Sequence, residues 1–128
     1  MQDYRKLAVW KKSHKLALDT YAISAYLKAP EAWPVRDQMF RAAISIPSNM
    51  AEGAGRGSNP DFRRFLFHSL GSCNELEYDL LLARDLGFLP PASHSRLAGQ
   101  LEEVRRMLSG LIESVTGPHS KSPESGNS

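Results

Sequence analysis

One cysteine in 128 residues leaves Cys73 nothing to pair with inside the chain. An intramolecular disulfide and a cysteine-based zinc cluster are therefore excluded. No apolar run approaches the ~20 residues that a membrane-spanning helix needs, so no membrane contact is expected. Behind Met1-Gln2-Asp3-Tyr4-Arg5-Lys6 no long apolar stretch follows, so the start does not read as a signal peptide and a cytoplasmic location is the expectation. Neither sign of charge dominates: sixteen Lys and Arg against fourteen Asp and Glu leave only +2, too little by itself to argue for nucleic acid. Catalytic groupings are missing too. His14, His68, His94 and His119 are scattered, and none stands in a Glu-x-x-His or His-Glu-x-x-His arrangement. Glu75, Glu77 and Asp79 alternate, which spreads them around a helix instead of converging them. Gly53, Gly55 and Gly57 follow a helical segment where a phosphate loop follows a strand, and no Gly-Lys-Ser/Thr is present. The chain reads as a non-enzyme with no catalytic residues, no metal and no cofactor.

What is present is helical periodicity. The length suits one domain, placed at residues 1–116, with a disordered tail at 117–128 that has no large apolar residue. A first helix is expected from about Val9 to Leu27, turning Trp10, Leu16, Ala17, Tyr21, Ile23 and Leu27 inward, with Pro30 to Pro34 as a connector. A second begins near Val35 and places Met39, Ala42 or Ala43, Ile46 and Met50 on one side, with Pro47 in its interior and the glycines at 53, 55 and 57 at its end. Ser58 with Pro60 and Asp61 suits the start of a third helix, whose stripe is Phe62, Leu66, Ser69, Cys73, Leu76, Leu80 and Ala83. Gly87 and Pro90-Pro91 end it. Ser93 is expected to cap a fourth helix with the seam Leu97, Leu101, Val104, Leu108, Leu111 and Val115. Four helices with short links predict an all-α, antiparallel up-down-up-down bundle.

Polar residues inside the second helix need partners. Ser45, Ser48 and Asn49 either bond to backbone freed by Pro47 or contact a ligand, since an unpaired buried hydroxyl or amide costs ~1–3 kcal/mol. Glu52 lies three turns beyond Arg41, so the two can share a face and form a charged network between subunits. Charge is also unevenly spread. Residues 1–64 hold eleven basic against six acidic side chains, a net of +5, and residues 65–128 hold five against eight, a net of −3. Such a division marks an anion-binding surface, opposed subunit surfaces or a solvated pattern. Lys11, Lys12, Lys15, Arg36, Arg41, Arg56, Arg63 and Arg64 are the candidates for phosphate contacts. In an antiparallel bundle the lysines at the start of the first helix and the arginines of the second connection fall at the same end.

The run Gln38 to Gly57, and Ser45-Ile46-Pro47-Ser48-Asn49-Met50-Ala51-Glu52-Gly53 within it, resembles the signature of the bacterial four-helix-bundle proteins also called 23S rRNA-intervening sequence proteins. The resemblance extends over about residues 3–115. Leu7-Ala8-Val9-Trp10-Lys11-Lys12 is similar to the family's Leu-x-Val-Trp-x-Lys opening, Tyr21 matches its first-helix aromatic, and Phe65-Leu66, Gly71-Ser72 and Glu75-Leu76-Glu77 match its third helix. Phe40 departs from it, standing where an arginine is common, while Arg41 keeps the next position. The resemblance implies a homopentamer of small bundles. The related accessory protein of diversity-generating retroelements, a basic pentameric bundle, binds nucleic acid and its reverse transcriptase, so RNA or DNA is the leading partner class by analogy.

Two functions follow as expectations. The first is an oligomeric bundle binding structured RNA or DNA through Lys11, Lys12, Lys15, Arg41, Arg56, Arg63 and Arg64 repeated around the assembly. The alternative is a protein-assembly module without a nucleic-acid ligand, with Met39, Phe40, Phe62 and Phe65 at the oligomer interface and Ser45, Pro47, Asn49, Glu52 and Gly53 as interface or structural motif.

Overall fold

A computed structural model describes the backbone of residues 3–124 and the side chains of residues 3–115. It holds four helices, α1 (Ala8–Ser24), α2 (Trp33–Ala54), α3 (Asn59–Asp85) and α4 (Pro91–Glu124), with short 3-10 turns at Tyr4–Lys6 and Pro30–Ala32 and no strand among the described residues. α1 packs on α2 and α4, and α3 packs on the same two helices, so the core is shared by all four. α4 continues past Gly117, into the segment expected to be a tail, and the end of that segment, residues 125–128, lies outside the described residues.

The stripe expected of α3 is buried residue for residue, from Phe62 through Ala83. α2 buries Met39, Ala42, Ala43, Ile46 and Met50, as its spacing predicts. It starts two residues before Val35 because Pro34 falls in its first turn, where the missing N–H has no intrahelical partner to lose. α1 ends at Ser24, and the bonds Tyr26 N to Ile23 O and Leu27 N to Ser24 O tighten the chain beyond it, which still buries Leu27.

Three expectations about α1 and α4 are corrected. Tyr21 is 61% exposed, and the inward positions are taken by Ser13, Thr20 and Ser24 instead. Their hydroxyls donate to the carbonyls of Trp10, Leu16 and Tyr21 at 2.9, 2.7 and 2.8 Å, which lets small polar residues enter a core. On α4, Ile112 rather than Leu111 is buried, because a straight helix drifts against a strict heptad. Ser93 does not cap α4: the helix begins at Pro91, and His94 N donates to Pro90 O at 3.0 Å.

The connections follow local chemistry. Ser58 Oγ accepts from Asp61 N at 3.3 Å, capping α3 as its position predicts. Of the glycines after α2, only Gly57 takes a positive φ, +85°, while Gly53 lies inside the helix. Gly87, at φ +84°, turns the chain after α3 so that Phe88 N and Leu89 N both reach Ala83 O.

Candidate nucleic-acid interface

The α2–α3 connection gathers the arginines that the sequence marks. The guanidinium carbons of Arg56 and Arg64 stand 4.8 and 4.7 Å from the Phe65 ring centroid, within cation–π range, and His68 packs on that ring at 5.4 Å. Arg63 lies 5.0 Å from the centroid of the exposed Phe67 ring. Arg56 also pairs with Glu52 at 3.1 Å, and Arg64 with Asp61 at 3.3 Å. These are solvent-exposed pairs, of the kind worth ~0–1 kcal/mol and readily exchanged for another anion. Glu52 is thus engaged by Arg56, one turn on, and not by Arg41.

The start of α1 lies beside the end of α2, since Tyr4 and Trp10 share a groove with Ala51, but two of its lysines pair with carboxylates of α1 and α4. Lys12 pairs with Glu103 of α4 at 3.3 Å and Lys15 with Asp19 at 2.8 Å. Asp19 also accepts from Gln100 at 2.9 Å and lies 3.5 Å from Arg96, which ties α1 to α4. The Lys15 bond and its companions hold the Asp19 carboxyl below the usual carboxylate range. Lys11 and Arg41 are exposed, and neither side chain forms an ion pair with a described residue. Arg36 pairs with Asp37 at 3.3 Å and lies over Trp33.

Several residues marked as interface candidates are structural instead. Met39 and Phe62 are 0% and 4% exposed, so their side chains are spent in the subunit's own core and reach no partner surface. Ser45 Oγ meets Ser72 Oγ across α2 and α3, Asn49 Nδ2 donates to Ser45 O at 2.8 Å, and Ser69 Oγ of α3 donates to Ile46 O at 2.8 Å. The polar motif around Pro47 therefore stitches α2 to α3. Ser69 is marked in the sequence by helical register alone, and Ser72 by its match to the family's third helix, neither of which names the partner it bonds. Phe40 and Pro47 line a surface groove of about 490 Å³ between α1 and α2, with Tyr4, Trp10, His14 and Tyr21. A second groove, about 340 Å³, lies between α3 and α4 and includes Glu77, Tyr78, Leu81, Glu102 and Arg105.

Among the described residues no cluster of three or more His, Cys, Asp or Glu is placed to hold a metal ion, and no helix is long and apolar enough to cross a membrane. Burial pushes the Cys73 thiol up to about 11.

The family model for the 23S rRNA-intervening sequence protein matches residues 5–110. The chain belongs to this family. A crystal structure of a protein of unknown function from the S23 ribosomal protein family of Bacteroides thetaiotaomicron VPI-5482 superposes with a TM-score of 0.77 at 23% identity, covering 83% of this chain and 99% of that one. At that identity the likeness speaks for the fold alone. Comparison with curated proteins gives no match. Within the 23S rRNA-intervening sequence protein match lie α1, α2, α3 and the arginine–aromatic corner, while α4 is matched only as far as Gly110, so that its buried Ile112 falls beyond it.

Proposed function

We propose that this chain is a non-enzymatic, antiparallel four-helix bundle that assembles with copies of itself and binds nucleic acid through the corner between α2 and α3. The antiparallel arrangement is supported by side-chain pairs that run in opposite chain directions: Tyr21 meets Phe40, while Tyr4 and Trp10 share a groove with Ala51. The pentamer is taken from the family resemblance. In a ring, each subunit's modest phosphate contacts add through effective concentration.

The observation that carries the ligand class is the pair of guanidiniums, Arg56 and Arg64, on the single ring of Phe65, with a further cation–ring contact, Arg63 on Phe67, in the same first turns of α3. Cations interleaved with partly exposed aromatic rings suit phosphates and bases together. Lys12 and Lys15 are paired with Glu103 and Asp19 as Arg56 and Arg64 are with Glu52 and Asp61, so it is the aromatic rings beneath the arginines, and not freedom from carboxylates, that single out the corner. The test is fluorescence anisotropy of labelled RNA with the wild type and with the Arg56→Glu, Arg63→Glu, Arg64→Glu triple variant, alongside sedimentation. The reading predicts lost binding at unchanged assembly mass. Unchanged affinity in the triple variant contradicts it.

Protein assembly without nucleic acid is the second reading. The α3–α4 groove favours it, because Leu81 and Tyr78 are exposed there beside Glu77 and Glu102, whose carboxylates already engage the one arginine of the lining, Arg105.

A further inference from the structure

The groove between α1 and α2 is an aromatic surface that neither the core nor the arginine corner uses. Trp10 and His14 stack nearly parallel, 7° apart in plane with centroids at 5.0 Å, and Tyr4 meets the Trp10 face edge-on at 5.0 Å. Across the groove Tyr21 and Phe40 meet at 5.1 Å. Leu18, Tyr21 and Ile44 are exposed at its walls.

Its charge distinguishes it from the other groove. No Asp or Glu lines it, whereas Glu77 and Glu102 line the groove between α3 and α4. Four cations follow groove residues in sequence, Arg5, Lys11, Lys15 and Arg41; Arg5 and Lys15 pair with Asp3 and Asp19, whereas Lys11 and Arg41 are exposed and without an ion pair among the described residues. Lys12, farther around α1, is held by Glu103. Of the cations that follow groove residues in sequence, Lys11 and Arg41 are thus the ones left open to a phosphate.

We propose that the α1–α2 groove is a second binding surface on this chain, one that takes unpaired bases of single-stranded nucleic acid while Lys11 and Arg41 hold the flanking phosphates. This rests on the nucleic-acid reading of the chain and adds to it a site and a substrate class. Base faces are covered in a duplex and open in a single strand, and stacking on aromatic side chains tolerates any base. An apolar protein helix would fill the same rings but leaves the two open cations without a counterpart.

The test makes Trp10 the sole indole through Trp33→Phe and titrates the full chain with a short oligouridine and with an abasic phosphodiester chain of equal length at one low salt concentration. The oligouridine is expected to change Trp10 emission and to bind ~10-fold more tightly than the abasic chain. Tyr21→Ala, at a residue 61% exposed and so free to change without loss of core packing, is expected to weaken oligouridine by ~10-fold and leave the abasic chain unaffected. Equal binding of the two polymers with unchanged Trp10 emission overturns the groove site and leaves the arginine corner standing. Binding of neither polymer overturns both. A Tyr21→Ala protein that loses assembly mass in sedimentation while its base preference is unchanged assigns the groove to a protein contact, and overturns the proposal as well.

Discussion

Gly53 of α2 and Phe65 of α3 stand so close that a Cβ built on the glycine falls 2.7 Å from Phe65 Cβ and 3.2 Å from Phe62 O. Two of the three atoms it meets belong to or adjoin the α3 backbone, and the third, Phe62 Cδ1 at 3.2 Å, sits on a ring held by the core. Alanine is the better helix former by ~1 kcal/mol, but relief of this overlap requires the two helices to part. Gly53→Ala is therefore expected to destabilise the fold by ~1–3 kcal/mol, read by urea denaturation. A gain in stability contradicts the close-approach role.

Ser69 is fully buried, and its hydroxyl reaches Ile46 O on the neighbouring helix at 2.8 Å. Ser69→Ala removes the donor and leaves a methyl-sized side chain in place. A loss of ~1 kcal/mol is expected in the same denaturation measurement. Cys73, one turn farther along the same stripe, keeps the hydrophobic part of the interface intact in that variant.

The sequence made α3 legible because its core positions are nearly all large and apolar at regular steps. α1 was harder to read. Ser13, Thr20 and Ser24 look like surface residues until their hydroxyls are seen to turn back onto their own helix, and Tyr21 looks like core until Phe40 is found beside it in an open groove. At the candidate site, the charge count found the basic residues but not their neutralisation. Lys12 meets Glu103 only through the packing of α1 on α4, a tertiary fact that no local spacing encodes. Gly53 stands one residue before the end of α2, as its position predicts, but its close approach to α3 is not legible, since a glycine required for close packing and one required for a turn look alike in sequence.

Burial and the neighbouring Glu75 charge push the Asp79 carboxyl up from its ordinary value. The folded state then binds this proton more tightly than the unfolded state, so the ionised carboxylate costs stability above its folded pKa, and the cost disappears below its unfolded one. Asp79→Asn is expected to raise the thermal midpoint at neutral pH, with the advantage closing in acid. A lower midpoint at neutral pH contradicts this.

With its thiol pushed up to about 11 by burial, Cys73 is expected to be protonated at neutral pH and slow to alkylate in the native chain. Iodoacetamide labelling followed by mass spectrometry should show modification only as denaturant opens the bundle. Rapid native labelling would place Cys73 in contact with solvent.

If the arginines of the α2–α3 corner contact nucleic-acid phosphates, the salt dependence of RNA affinity must carry their signature. Anisotropy titrations of single-stranded RNA across a range of salt are expected to give a log–log slope that is steep for the wild type. Each arginine reversed among Arg56, Arg63 and Arg64 is expected to flatten it by ~0.7 where a phosphate contact is lost. A slope near zero, or one that the three reversals leave unchanged, would contradict the claim.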